Sequence, residues 1–135
     1  MAGKTILIVD DNPINMKLIR VLLTGEGYHV RTAADAQEAF AVLKEFHPDL
    51  ILMDIQLPGI DGLELTRRVK SDRTTRDIII LGLTAYAMKG DEERILAAGC
   101  DGYIPKPIDT RTLPHVIAEY LKKETAIEIG GLKAR

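Results

Sequence analysis

The sequence predicts a doubly wound α/β fold, with helices on both faces of a parallel sheet. Short apolar segments alternate five times with segments of helical periodicity. Parallel strands need long, right-handed crossover connections, and the helical segments supply them. With 135 residues, 46% of them apolar, the chain can bury one core. We therefore expect one domain over residues 1–123, followed by a C-terminal tail or linker remnant over residues 124–135.

The first strand and helix are predicted from residues near the amino terminus. Residues 5–9 are an apolar run that is typical of a strand. Asn12 followed by Pro13 is typical of a helix N-cap with proline at the first helical position. Gly25 and Gly27 predict the end of this helix. The residues expected to form its core-facing side are Ile14, Leu18, Val21 and Leu22.

The next three elements are a polar strand, a helix and an apolar strand. Residues 28–33 have the mixed polarity of an edge strand. Asp35 predicts the start of a helix, which His47 and Pro48 close. Its core-facing residues are Ala36, Ala39, Phe40 and Leu43. Residues 50–53 are all apolar, which predicts a strand buried on both faces.

The second half of the chain repeats this alternation. Asp61 predicts the N-cap of a third helix. Residues 78–83 predict a fourth strand that ends at Thr84, and residues 102–104 a short fifth strand. The core-facing residues of the third and last helices are Leu63, Leu65, Val69, Leu113, Val116, Ile117, Tyr120 and Leu121. The fourth helix has few inward candidates, namely Met88, Ile95 and Ala98, so we expect it to be held loosely.

Composition and charge exclude several classes of function. The net charge of −2 shows no basic excess, so nothing favours nucleic acid or an anionic membrane as a partner. The single cysteine, Cys100, excludes an intramolecular disulfide and suits a reducing compartment. Three histidines lack the spacing of a metal site, namely His29, His47 and His115. The first apolar run is too short for a signal peptide or a membrane span, so we expect a cytoplasmic protein without membrane insertion.

Polar residues end or follow four of the five predicted strands. They are Asp10 and Asp11 after the first strand, Asp54 at the end of the third, Thr84 after the fourth and Lys106 after the fifth. The carboxyl ends of parallel strands meet at one edge of the sheet, where ligands of such folds bind. Each residue alone could be a helix cap or a solvated charge, but their joint arrival at one edge indicates a site. Asp54 is the candidate reactive group, because a rigid strand precedes it and Pro58-Gly59 turns the chain soon after.

The carboxylates determine the chemistry that we expect at this edge. Two carboxylates about 4 Å apart repel by roughly 4 kcal/mol at an effective dielectric constant near 20, so three of them call for a divalent cation. Oxygen-only donors favour Mg²⁺ or Mn²⁺ over zinc, and magnesium often completes its coordination with phosphate oxygens. A carboxylate can itself accept a phosphoryl group. We therefore expect Asp54 to be the acceptor, with Asp10 and Asp11 holding the metal. Lys106 and Thr84 would contact the phosphoryl oxygens.

These residues resemble the receiver domain of two-component response regulators over residues 4–123. The matching motifs are Ile8-Val9-Asp10-Asp11-Asn12, Leu52-Met53-Asp54-Ile55-Gln56-Leu57-Pro58, Leu83-Thr84-Ala85 and Lys106-Pro107. Asn12, Asn15 and residues 85–91 are most similar to receivers of hybrid kinases and phosphorelays, and residues 88–95 to the stand-alone DivK type. The resemblance implies a flavodoxin-like (βα)5 sandwich with a five-stranded parallel sheet in the order 2-1-3-4-5.

The resemblance also implies a role for each residue of the site. Asp54 would be phosphorylated by a phosphohistidine donor in a reaction that needs Mg²⁺. The metal ligands would be Asp10 through water, Asp11, Asp54 and the main-chain carbonyl of Gln56. The residues that contact the phosphoryl group would be Thr84, Ala85 and Lys106.

Three further features are implied by the same resemblance. The bond between Lys106 and Pro107 would be cis, as an X-Pro bond can be at modest cost. Thr84 and Tyr103 would form a switch pair, in which the hydroxyl moves toward the phosphate and the ring turns inward. Gln56 and Tyr86 would flank the phosphoryl group and control its lifetime.

The implied partners are proteins. The phosphoryl donor would be a histidine kinase or a histidine phosphotransfer protein. A downstream protein target would bind the surface made by the fourth helix, fifth strand and fifth helix. The chain would act as a monomer or weak dimer, and it would catalyse only its own phosphorylation and slow autodephosphorylation.

Three alternative functions fit parts of the sequence. A haloacid-dehalogenase-like phosphatase also uses an aspartate nucleophile and Mg²⁺, but it typically has a second acid two residues later, where this chain has Gln56. A flavodoxin-like FMN binder shares the topology, but Asp10 and Asp11 would repel the phosphate of the ligand. A degenerate receiver that serves only for docking is disfavoured by the full set of site residues.

Overall fold

A computed structural model describes residues 3–57, 61–85 and 89–130, except for the side chains of residues 89–91 and 123–130. Within this part of the chain, strands and helices alternate as predicted. The strands are β1 (Thr5–Val9), β2 (His29–Ala33), β3 (Leu50–Asp54), β4 (Ile79–Thr84) and β5 (Gly102–Pro105). The helices are α1 (Pro13–Gly25), α2 (Ala36–Glu45), α3 (Gly62–Ser71), α4 (Lys89–Ala97) and α5 (Leu113–Gly130).

The strands form one parallel sheet in the order β2-β1-β3-β4-β5. This is the order that the family resemblance implies. In the pairing of β3 with β4, Asp54 lies opposite Leu83. In the pairing of β4 with β5, Thr84 lies opposite Pro105. The sheet therefore brings the residues that end β3 and β4, and those that follow β1 and β5, to one edge.

Helices cover both faces of the sheet. On one face, α1 and α5 bury Ile19, Leu23 and Ile117. On the other face, α2, α3 and α4 form a second cluster, which includes Leu65 and Ile95. Every residue of β3 is buried, as its apolar run predicts. Since each fully buried large aliphatic side chain contributes about 1.5–3 kcal/mol, these two clusters hold the central strand rigidly.

Capping side chains fix where the first three helices begin. Asn12, Asp35 and Asp61 each accept hydrogen bonds at Oδ1 from main-chain N–H groups of the first turn, at 2.8 to 3.1 Å. Such a cap stabilises a helix by about 1 kcal/mol. One of these caps, Asn12, directly follows Asp10 and Asp11 of the predicted site.

The orientation of α1 contradicts the sequence prediction. Three of its apolar residues that were expected to face the core are exposed: Ile14 (77%), Leu18 (50%) and Val21 (60%). Ile19 and Leu23 are buried in their place, and Leu22 is partly buried. The helix has two apolar sides roughly opposite each other, and periodicity alone selected the outer one. We call Ile14, Leu18 and Val21 the α1 stripe.

The other helices follow the predicted pattern in the described part of the chain. The predicted core residues that are buried are Ala36, Ala39, Leu63, Leu65, Val69, Ile95, Ala98, Leu113, Ile117 and Leu121, and those that are partly buried are Phe40, Leu43, Val116 and Tyr120. Met88 and the turn at Pro58-Gly59 lie outside the described residues. α5 continues to Gly130, so the boundary predicted between residues 123 and 124 falls within a helix and stays a prediction. No described helix combines the length and apolar character needed to cross a membrane.

Candidate functional site

Asp54 is the last residue of β3, and its side chain is almost fully buried. Its Oδ1 atom accepts a hydrogen bond from the main-chain N–H of Gln56 at 3.0 Å. The same oxygen accepts from Nζ of Lys106 at 3.1 Å. A buried carboxylate is costly unless it is paired and hydrogen-bonded, and both conditions are met here. The apolar strand behind Asp54 therefore presents a carboxylate in a fixed position.

Asp10 follows β1 and is completely buried. Its Oδ1 atom accepts from the main-chain N–H of Asn12 at 2.8 Å, whereas Oδ2 has no hydrogen-bond partner among the described residues. Burial, and then the negative charge of Asp54, raise the pKa of Asp10 from 3.8 to about 6, against the opposing effects of the Asn12 amide and Lys106.

The three acidic residues converge as the sequence predicts. Carboxylate oxygens of Asp10, Asp11 and Asp54 lie within 4.8 Å of one another, with Asp11 exposed to solvent. The set offers only oxygen donors, and it includes the Oδ2 atom of Asp10, which is buried and accepts no hydrogen bond from the described part of the chain. A hard divalent cation fits this set, because it would satisfy that oxygen and offset the repulsion among the carboxylates.

Thr84 and Lys106 border the same edge. Thr84 ends β4 and is buried, and Lys106 follows β5. The main-chain N–H of Lys106 donates to the carbonyl of Thr84 at 2.7 Å, which joins the two chain segments. The Lys106–Pro107 peptide bond is cis, as the resemblance implies. Because β4 and β5 lie on the opposite side of β3 from β1, Thr84 and Lys106 lie on the side of Asp54 away from Asp10.

A cavity of about 200 Å³ lies between the loop after β3 and helix α4. Its lining residues are Ile55, Gln56, Asp61, Leu63, Thr84, Arg94 and Ile95. The sequence predicts only a capping role for Asp61 and no site role for Arg94. No short motif marks either one as a site residue, because Asp61 reaches the cavity from the start of α3 and Arg94 from α4.

Tyr103 lies on β5 and is half-buried against the cluster that contains Ile95. A hydrogen bond to the carboxylate of Glu92 on α4, followed by burial and the charge of Glu92, raises the pKa of Tyr103. The predicted switch tyrosine therefore touches the helix whose movement the switch would need. Gln56 and Ala85 are exposed, and Tyr86 lies outside the described residues.

The family of the chain follows from comparison with known proteins. The model of the response regulator receiver domain matches residues 6–118. The chain belongs to this family. Its function is therefore that of a phosphoacceptor switch in two-component signalling, and it is not a classical enzyme.

Curated relatives of this receiver domain include small response regulators. The polar-differentiation response regulators DivK of Brucella ovis and Brucella abortus are each 48% identical over 118 residues. These alignments cover 87% of this chain and 96% of the relatives. The similarity to the stand-alone DivK type that the sequence indicates is thus confirmed over almost the full length of those proteins.

Solved structures similar to this receiver domain confirm its fold. The receiver domain of the sensor histidine kinase PA1611 from Pseudomonas aeruginosa is 36% identical, with a TM-score of 0.81 and coverage of 90% of this chain and 99% of that one. That structure has a magnesium ion coordinated in its active-site cleft. The chemotaxis response regulator CheY4 of Vibrio cholerae is 28% identical, with a TM-score of 0.82 and coverage of 86% and 97%.

Proposed function

We propose that Asp54 accepts a phosphoryl group from a phosphohistidine of a partner protein. The environment of its carboxylate is the observation that carries this proposal. Asp54 is buried at a strand end, paired with Lys106 at 3.1 Å, and close to the carboxylates of Asp10 and Asp11. This arrangement combines a nucleophile, a cation and an acidic cluster at one edge of the sheet.

The reaction would be a direct transfer between two side chains. A carboxylate oxygen of Asp54 would form a bond to phosphorus while the bond from phosphorus to the imidazole nitrogen breaks, and the imidazole would leave. Lys106 is already within hydrogen-bond distance of Asp54, so its ammonium group would pair with a phosphoryl oxygen after transfer. The hydroxyl of Thr84 would donate to a second phosphoryl oxygen and the main-chain N–H of Ala85 to a third.

The acidic cluster would hold Mg²⁺, or Mn²⁺ in its place. Asp11, Asp54 and the carbonyl of Gln56 would be direct ligands, and Asp10 would act through water. Support comes from the oxygen-only donor set and from the buried Oδ2 atom of Asp10, which has no partner among the described residues. When bound, the cation would supply positive charge beside the phosphoryl oxygens.

The donor would be a histidine kinase or a histidine phosphotransfer protein that contacts α1. This helix starts two residues after Asp11 and exposes the α1 stripe, beside which Lys17 and Arg20 are also exposed. Exposed aliphatic residues in one row on a helix are typical of an interaction site. Because both charges next to the stripe are positive, the partner surface should be apolar with acidic residues at its margin.

The downstream target would bind the face formed by α4, β5 and α5. Phosphorylation would draw the hydroxyl of Thr84 toward the phosphate, and Tyr103 would turn inward. Support comes from the contact between Tyr103 and Glu92, since movement of the ring would change how α4 is held. A two-state element of this kind needs a bias of only a few kcal/mol.

The remaining parts of the proposal concern the lifetime of the phosphoryl group, the cellular location of the protein and its oligomeric state. Gln56, which is exposed beside Asp54, and Tyr86 would flank the phosphoryl group and limit the access of water. The domain would catalyse its own phosphorylation and a slow autodephosphorylation. A cytoplasmic location and a monomeric or weakly dimeric state complete the proposal; the single cysteine, Cys100, is buried as a free thiol, which suits a reducing compartment.

Phosphotransfer from a panel of purified histidine kinases tests this function. Wild type should acquire label from at least one kinase, and Asp54→Asn from none, because the amide is not a nucleophile. Asp77→Asn is the matched control, since Asp77 is an exposed carboxylate just before β4, at the opposite edge of the sheet. Labelling of Asp54→Asn at the wild-type rate would contradict the assignment.

A further inference from the structure

We propose that Gly62 is a positioning residue of the acceptor site, because its lack of a side chain sets the path of the backbone that carries Asp54 and Gln56. The inference deepens the proposed function and rests on it. Gly62 is the first residue of α3, directly after the capping residue Asp61. It contacts the loop that leaves β3 immediately beyond the acceptor.

The contact leaves no room for a side chain. A Cβ atom on Gly62 would overlap the main-chain oxygen of Asp54, and it would lie 2.9 Å from the carbonyl carbon of Asp54 and 2.8 Å from Cα of Ile55. All three are backbone atoms, which cannot rotate away as the end of a flexible side chain can. Packing in protein interiors is too tight to absorb such an overlap without a shift of the chain.

Position 62 requires glycine because there is no space for a Cβ atom, and not because of its backbone conformation. Glycines with positive φ occur in the described chain at Gly3, Gly27 and Gly99. Gly62 has an ordinary φ and lies in the first turn of a helix, a conformation open to any residue with a Cβ atom. The short distance between this backbone position and the main chain of Asp54 is therefore what requires glycine at position 62.

Hydrogen bonds tie this contact to the site. The main-chain N–H of Gly62 donates to the carbonyl of Ile55 at 3.0 Å. On the other side, the N–H of Ile55 donates to the carbonyl of Leu83 on β4 at 3.0 Å. The next N–H, that of Gln56, donates to Oδ1 of Asp54. The Ile55 peptide units are thus clamped between β4 and α3, and this clamp orients the Gln56 amide that holds the acceptor carboxylate.

The start of α3 is itself held in place. Thr66, which is fully buried, donates from its hydroxyl to the carbonyl of Gly62 at 2.7 Å. Asp61 accepts at Oδ1 from the N–H of Glu64 at 2.9 Å and so fixes the first turn from the other end. Both bonds lie within α3 and its cap and make the first turn rigid, so a side chain at position 62 would displace the Asp54–Gln56 backbone relative to that turn. A misplacement on the order of 1 Å at a reacting group can reduce a rate about 100-fold.

The test compares Gly62→Ala with two controls. Gly25→Ala adds the same methyl group where a Cβ meets nothing within 4 Å. Leu23→Ala opens a cavity in the core at the far end of α1, which lowers stability without entering the site. The affinity of each protein for Mg²⁺ alone is measured by calorimetry, with circular dichroism as a check on folding. We expect at least tenfold weaker binding for Gly62→Ala and wild-type affinity for both controls.

A wild-type Mg²⁺ affinity in folded Gly62→Ala would overturn the positioning role and leave the proposed function intact. Failure of the wild type to bind Mg²⁺ would instead overturn the proposed function, and this inference with it.

A second measurement on the wild type decides the matter if Gly62→Ala does not fold. In an NMR titration with Mg²⁺, the amide resonance of Gly62 should shift together with that of Gln56, because Ile55 connects them. The Gly25 amide should stay in place and serves as the reference. A Gly62 resonance that moves no more than that of Gly25 would overturn the proposal.

Discussion

Among single residues, Asp10 has a side chain whose environment lowers the stability of the fold. It is completely buried, it lies beside two other carboxylates, and its Oδ2 atom has no hydrogen-bond partner among the described residues. Leaving a buried polar atom unsatisfied costs about 1–3 kcal/mol. Proteins retain such groups mainly where function uses them, so this cost supports a cation-binding role for the cluster.

Asp10→Asn should stabilise the magnesium-free protein in a pH-dependent way. Because the pKa of Asp10 is about 6 in the folded chain and near 3.8 in the unfolded chain, folding favours the protonated form. Ionisation of Asp10 therefore lowers the free energy of unfolding as pH rises from about 4 to about 6. The amide removes this charge and keeps Oδ1 as an acceptor for Asn12. We expect a gain on the order of 2 kcal/mol at about pH 8 that disappears near pH 3.

Urea unfolding at these two pH values, in the presence of a chelator, measures the effect. Asp77→Asn, which removes an exposed carboxylate, is the control and should change stability little at either pH. An equal gain for Asp10→Asn at both pH values would show that ionisation of the buried Asp10 carboxyl is not its cause.

Among the helices, α1 has one apolar side that packs in the core and a second apolar side that is exposed and available to a partner protein. Its buried side, with Ile19 and Leu23, packs against the sheet, and the α1 stripe on the other side stays exposed. Because these three large aliphatic residues are at least half exposed, they add little to the stability of the isolated domain. Their presence next to the acidic edge therefore supports a role in binding the phosphoryl donor.

Leu18→Asp should separate binding of the donor from the chemistry of transfer. The new carboxylate in the centre of the α1 stripe would be buried and unpaired in the complex with the donor. We expect phosphotransfer from the histidine donor to fall at least tenfold, and phosphorylation by acetyl phosphate, which needs no protein contact, to stay at the wild-type rate.

Leu96→Asp is the matched control for this change. Leu96 lies on α4 and is 50% exposed, the same fraction as Leu18, so the substitution places a carboxylate at an equally exposed helix position. Its transfer rate from the donor should equal that of wild type. If Leu18→Asp and Leu96→Asp slow this step equally, α1 has no special role in donor binding.

At the scale of the whole molecule, topology explains why so much was predictable from sequence. The alternation of apolar and helical segments predicts all ten elements, and parallel pairing then brings the ends of distant segments to one edge. Asp10, Asp54 and Lys106 meet there although they are far apart in the chain. This part of the site follows from strand order and needs no knowledge of side-chain packing.

The features that sequence could not predict depend on packing between elements. α1 has apolar residues on two sides, so periodicity could not decide that Ile19 would be buried and Leu18 exposed. Gly62 is an ordinary helix-start residue in the sequence, and its importance arises only because a Cβ atom there would overlap the main-chain oxygen of Asp54. Arg94 belongs to a weakly amphipathic helix and reaches the cavity near the site only through the placement of α4.

We propose that the carboxylates of Asp10, Asp11 and Asp54 hold a divalent cation and that this cation makes Asp54 the phosphoacceptor. The most direct test is intact-mass spectrometry after incubation with acetyl phosphate, with Mg²⁺ or with a chelator, followed by mapping of the modified peptide. We predict one phosphoryl group per chain, on Asp54, formed with Mg²⁺ and lost with the chelator. Modification at another residue, or equal modification without a divalent cation, would contradict the assignment of Asp54 as a cation-dependent phosphoacceptor.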